Sequence, residues 1–109
     1  MIDERAFQSL VAHAGRETAK RMIARFVELS PEWRRELSEA QNTMRVEKIA
    51  HEIVTSAGAV GLMDISREAQ KLEKLAASAD DSHIRPLAQA LASGLERGER
   101  ALAEKAAAL

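Results

Sequence analysis

The sequence predicts an all-α fold, an antiparallel up-down four-helix bundle preceded by one short N-terminal helix. Composition points there first: 46% of the 109 residues are hydrophobic, many of them Ala and Leu, against 5 Gly and 2 Pro. Helices accommodate that mixture, whereas loop-rich folds need more Gly and Pro. The apolar residues also recur every three or four positions, and no segment alternates as a half-buried strand would. Finally, the breaks between the later periodic segments are short, which favours antiparallel neighbours. A chain of this length supports one core, so residues 1–109 are read as a single domain.

The first helix opens at Asp3, a good N-cap residue, and presents Phe7, Leu10, Val11 and Ala14 at helical spacing. Gly15 ends it, because glycine accepts the left-handed conformation that follows many helices. A second helix carries Ala19, Met22, Ile23, Phe26 and Val27, then Trp33, Leu37 and Ala40. Ser30-Pro31 interrupts this run. Proline removes an internal hydrogen bond, so the expectation is a kink or a restart with Ser30 as cap and Pro31 at the first helical position.

Asn42 caps a third helix, which Gly61 terminates. A fourth carries Leu62, Ile65, Ala69, Leu72 and Leu75 or Ala76. The loop and cap region Asp80-Asp81-Ser82 leads to the last helix, with Ile84, Leu87, Leu91, Leu95 and Leu102, and with Gly98 filling the gap in the spacing. Pro86 fits only in a first turn, so the start of this helix is placed as late as Arg85.

The third helix is the most informative segment. Successive residues turn by about 100°, which puts Val46, Ile49, Ala50, Ile53, Ala57 and Val60 on one core-facing stripe. His51 then points roughly 150° away from the centre of that stripe, toward solvent. Glu47, Lys48, Val54 and Thr55 flank it one turn away, and Met44 and Gly58 lie two turns off on the same side. Met44 and Val54 form a small apolar patch suited to docking a partner helix, with Glu47 beside it and Gly58 permitting close approach. Glu73 is read as a solvated or cap-linked charge. An exposed imidazole with mostly slender neighbours has the geometry of a phosphoryl acceptor.

Several function classes are excluded at this level. The net charge is −1, and the basic pairs Lys20-Arg21 and Arg34-Arg35 are interleaved with Glu17, Glu28, Glu32 and Glu36. A nucleic-acid reader would show a basic surplus on one face. There is no cysteine, and no two of His13, His51 and His83 stand three or four residues apart, so no metal site is expected. His13 and His83 are read as ordinary surface histidines. No apolar run approaches the roughly 20 residues of a membrane span, and Met1 to Arg5 does not open like a secretory signal. A soluble, cytoplasmic, monomeric protein is expected.

From Asn42 to Glu73 the chain resembles the histidine-containing phosphotransfer (HPt) domain of bacterial two-component phosphorelays. That family's pattern runs His-x-Leu-Lys-Gly-Ser-small-x-x-apolar-Gly, then an apolar residue four further on and Leu-Glu about a dozen beyond the glycine. Here the matching residues are His51, Ile53, Ser56, Ala57, Val60, Gly61, Ile65 and Leu72-Glu73. Upstream the agreement is looser, through Gly15, Phe26, the Ser30-Pro31-Glu32 step, Leu37 and Ala40. The chain departs from the pattern at Val54, where the family has lysine, and at Thr55, where it has glycine.

The resemblance implies a phosphocarrier, a phosphotransfer intermediate rather than a turnover enzyme. His51 would accept a phosphoryl group and pass it to and from the aspartates of response-regulator receiver domains or a hybrid histidine kinase. It implies no cofactor on this chain, the magnesium being carried by the receiver. Lys48, three residues before His51, would stand in for the family's lysine, and the Thr55 hydroxyl would donate to a phosphate oxygen. The alternative is a non-phosphorylated HPt-like module that binds or sequesters a receiver domain through the same face.

Overall fold

A computed structural model describes residues 2–39, 42–78 and 81–109, with Asp81 by its backbone alone. These residues form five helices and no strand: α1 Glu4–Ala14, α2 Arg16–Glu39, α3 Thr43–Ala59, α4 Met63–Ala77 and α5 Asp81–Ala108. The all-α class expected from composition and periodicity is therefore observed. Ala40 and Asp80, placed above in a core stripe and a loop, lie outside the described residues.

Local chemistry sets the helix ends. The Asp3 carboxylate accepts from the Ala6 N–H at 3.0 Å and so satisfies one of the donors that a helix start leaves unpaired. Gly15, the single residue between α1 and α2, has φ 90° and ψ 158°, a conformation open essentially to glycine. The Asn42 side chain accepts from the N–H groups of both Met44 (2.9 Å) and Arg45 (3.2 Å) at the start of α3. At the other end of α3, Leu62 N–H reaches the Ala57 carbonyl and Gly61 N–H reaches that of Gly58. This is a Schellman closure with Gly61 at φ 87°.

Pro31 does not restart α2, and Pro86 does not open α5. α2 runs unbroken through Pro31, with no restart at Ser30. Ser30 is not a cap: its side chain is fully buried and donates to Glu99 on α5 at 2.7 Å. Arg34 reaches the same carboxylate with Nε at 2.6 Å, and that bond raises the pKa of its guanidinium. Bonds from α2 to α5 on the turns around Pro31 thus hold the helix together where a backbone hydrogen bond is missing. α5 begins at Asp81, so Pro86 sits in its second turn and not its first, another departure from the expected start.

The core is built largely from the predicted stripes, although Ala14 is exposed and Leu10, Val11, Met22, Val27 and Leu87 are only half-buried. All six stripe residues of α3 are buried, as are Leu62, Ile65, Ala69, Leu72 and Ala76 from the fourth segment. Leu75 stays half-buried, so Ala76 closes that stripe. Phe26 and Trp33 of α2 meet edge to face, ring centres 5.5 Å apart. The closest pairings join α3 to α4, α2 to α5 and α4 to α5. Gly98 permits the last of these, since a Cβ there would stand 2.9 Å from Ile65 Cδ1 and 3.0 Å from Leu62 Cδ1. α1 is tied to the α3–α4 turn through the Asp3 N–H, which donates to the Gly61 carbonyl at 2.9 Å. These contacts orient α3 with its stripe inward and leave its opposite face open.

Candidate functional site around His51

His51 lies near the middle of α3 with 69% of its side chain exposed. It is not loose. Nδ1 is 2.7 Å from Oε2 of Glu73 on α4, whose side chain is 27% exposed. A carboxylate can only accept, so Nδ1 carries the proton in this bond. In the neutral ring the lone pair then resides on Nε2, which has no hydrogen-bond partner among the described residues. The result is an exposed nucleophilic nitrogen on a side chain held from behind.

The imidazole sits in a shallow depression whose other walls are Met44, Glu47, Lys48 and Glu52, with Glu73 closing the α4 side. Met44 is 78% exposed, the one large hydrophobic side chain so open among the described residues. Lys48 is exposed and forms no ion pair there, so its ammonium is available. Glu52 accepts from Trp33 Nε1 at 3.3 Å and is anchored toward α2.

The remaining sequence-derived site residues divide between the flanks of α3. Val54 and Gly58 lie toward α4. Val54 is half-buried against the core, its carbonyl accepts from Ser66 Oγ at 2.8 Å, and a Cβ on Gly58 would stand 3.5 Å from that same oxygen. The structure thus does not bring Met44 and Val54 together in one depression. Thr55 lies toward α2. There it borders a second, mainly apolar groove formed with Arg21, Met22, Arg25, Leu29 and Val60. His51 stands between a flank closed by α4 and a flank left open by α2.

Two features were not read from the sequence. Glu73, expected to be a solvated or cap-linked charge, is the orienting partner of His51; the Leu72-Glu73 step is visible in the sequence, but the contact spans 22 residues. The α2–α3 groove combines residues from two segments, and no local pattern marks it. Among the described residues no group of three or more His, Cys, Asp or Glu is placed to hold a metal ion, and no helix is long and apolar enough to cross a membrane.

Comparison with known proteins finds no matching family model, no matching curated protein and no matching solved structure.

Proposed function

We propose that this chain is a phosphorelay phosphocarrier, accepting a phosphoryl group on Nε2 of His51 from a receiver-domain aspartate and passing it to another. The observation that carries this reading is the imidazole itself: exposed at mid-helix, with Nδ1 bound to Glu73 and Nε2 without a partner among the described residues. The resemblance of residues 42–73 to the HPt pattern supports the same conclusion. So do the helix contacts, which fit an antiparallel up-down four-helix bundle of α2 to α5 with α1 as an additional N-terminal helix.

The chemistry asks little of such a protein. Phosphoryl transfer proceeds through a loose transition state, so alignment and charge neutralisation do most of the work. A packed helix supplies alignment, because the backbone of α3 and the carboxylate of Glu73 together fix the ring. The receiver supplies its aspartate, acidic pocket and magnesium. The partner is a receiver domain of a response regulator or hybrid kinase, met by a monomeric, cytoplasmic carrier. Its docking element lies over His51 and the open α2–α3 groove, because the α4 flank is already occupied by Ser66 and Glu73.

A second reading is favoured by Val54 and Thr55, which replace the lysine and glycine of the HPt pattern. On that reading the same face binds or sequesters a receiver without accepting phosphate. Incubation with phosphorylated receiver domains separates the two. The carrier acquires acid-labile, base-stable label that His51→Gln eliminates; the sequestering module binds the receiver and acquires none.

A further inference from the structure

Carboxylates over most of this surface are neutralised in place. Glu4, Glu28, Glu32, Glu36 and Glu99 each lie within salt-bridge reach of a lysine or arginine. Around His51 the arrangement reverses. Glu47 and Glu52 have no cationic partner among the described residues, and Glu73 spends its hydrogen bond on the imidazole. The depression therefore sets three carboxylates against one ammonium, that of Lys48.

We infer that this site is built to discharge its phosphoryl group rather than to store it, so that the transfer equilibrium lies toward the receiver aspartate. The inference rests on the phosphoacceptor role proposed above and adds a direction to it. A phosphoryl group on Nε2 brings between one and two negative charges into a rim that is already anionic, which raises the energy of the loaded state. The same group on a receiver aspartate escapes that rim.

Glu73 acts on the rate of discharge and not on its equilibrium, as a positioning residue that keeps the leaving ring protonated. When Nε2 bonds to phosphorus while Nδ1 keeps its proton, the ring is an imidazolium, and the Glu73 carboxylate holds that proton in place. Discharge breaks the P–N bond, and the electron pair returns to Nε2. The phosphoryl group forms a P–O bond to the receiver carboxylate, and a neutral imidazole remains with its proton on Nδ1, still donated to Glu73. No proton changes position in either direction.

Chemical loading with phosphoramidate, which needs no receiver, tests this. The phosphohistidine signal is followed by ³¹P NMR in the wild-type protein, the Glu47→Gln/Glu52→Gln double variant and Glu73→Gln. Glutamine keeps each acceptor oxygen, including the one that meets Trp33, while removing the charge. The double variant is expected to hold its phosphoryl group roughly two- to fivefold longer at low ionic strength, with the difference shrinking as salt screens the rim. Its equilibrium with an added receiver domain moves several-fold toward phosphohistidine. Glu73→Gln moves the pH profile of discharge to lower pH, because a neutral amide oxygen holds the imidazolium proton less firmly than a carboxylate does. Lifetimes and equilibria unchanged in the double variant overturn the inference. Loaded protein that passes its phosphoryl group to no receiver instead overturns the carrier role, and failure of phosphoramidate to load His51 overturns both.

Discussion

Oε2 of Glu73 lies 2.7 Å from Nδ1 of His51, joining α4 to α3 where both side chains still meet solvent. The contact makes the two nitrogens of the ring unequal. One is committed to a proton and a partner, and the other is left as a nucleophile. An exposed histidine ordinarily samples several rotamers; this one is restrained by a neighbour that sits 22 residues away in sequence.

That restraint is local, so removing the imidazole should disable acceptance without unfolding the protein. His51→Gln retains an amide donor for Glu73 and disturbs no core contact. Stability should change by about 0.5 kcal/mol or less, in the range of surface substitutions away from packing features. Thermal denaturation paired with label uptake checks both halves: label retained in the variant assigns the acceptor elsewhere, and a large loss of stability assigns His51 a structural role.

The Ser30–Glu99–Arg34 cluster is the opposite case, a polar group committed to the fold. Glu99→Ala leaves the buried Ser30 hydroxyl and the Arg34 guanidinium without their shared acceptor beside Pro31. A loss of about 2 kcal/mol is expected, against roughly 1 kcal/mol for Ser30→Ala, which leaves the Arg34 pair intact. Chemical denaturation of the two variants and their combination measures the coupling. A double variant equal to the sum of the singles would show that the two residues act independently.

Gly61 carries the α3–α4 turn. At φ 87° an L side chain is strained, and a Cβ would also meet the backbone of Phe7 at 3.4 Å and that of Asp3 at 3.5 Å. Gly61→Ala should cost about 1–2 kcal/mol from the backbone conformation alone. The α1 amides should then exchange faster, since Asp3 N–H donates to the Gly61 carbonyl. A variant as stable as wild type would show that the turn relaxes into another conformation.

These residues also mark what the sequence made legible. The stripe of α3 and the caps at Asp3, Asn42 and Gly61 were readable because helix period and cap chemistry act within a few residues. The course of α2 through Pro31 was not. It depends on Glu99, a residue of another helix 69 positions from Ser30. The position of His51 on the exposed face followed from the stripe, yet its bond to Glu73 did not, because that requires the rotation of α4 about its own axis as well. The open groove between α2 and α3 escaped for the same reason. Intrahelical faces are written in local spacing; the surfaces between helices are not.

The groove yields a test of where the partner sits. Met22 is half-buried on its floor, and Arg21 and Arg25 border it. Met22→Glu places a charge on that apolar surface and should weaken receiver binding about tenfold or more, while phosphoramidate labelling of His51 stays unchanged. Gln70→Glu, an exposed change on α4, serves as the charge control. Titration calorimetry with a receiver domain reads the difference; equal affinity for both variants would move the docking site off the α2–α3 flank.

Val54 leaves the phosphoacceptor face without the lysine of the HPt pattern. Lys48 shares the depression with His51, is exposed, and has no ion-pair partner among the described residues, so its ammonium is free to lean toward added phosphate charge. Val54, in the lysine place of the HPt pattern, is half-buried against the core on the α4 side. A lysine there would have to run its stem over that apolar surface and extend its head to solvent. Lys48→Ala should therefore slow phosphotransfer from a receiver or shorten the life of the phosphohistidine, by about three- to tenfold, and adding Val54→Lys should restore part of the loss. A module that only sequesters its receiver behaves otherwise: Val54→Lys changes receiver affinity, and no variant takes up label. Measuring label and affinity together across Lys48→Ala, Val54→Lys and the double variant distinguishes these patterns. Transfer unchanged in Lys48→Ala would remove Lys48 from the site and leave the three carboxylates around His51 without any cation of this chain to oppose them.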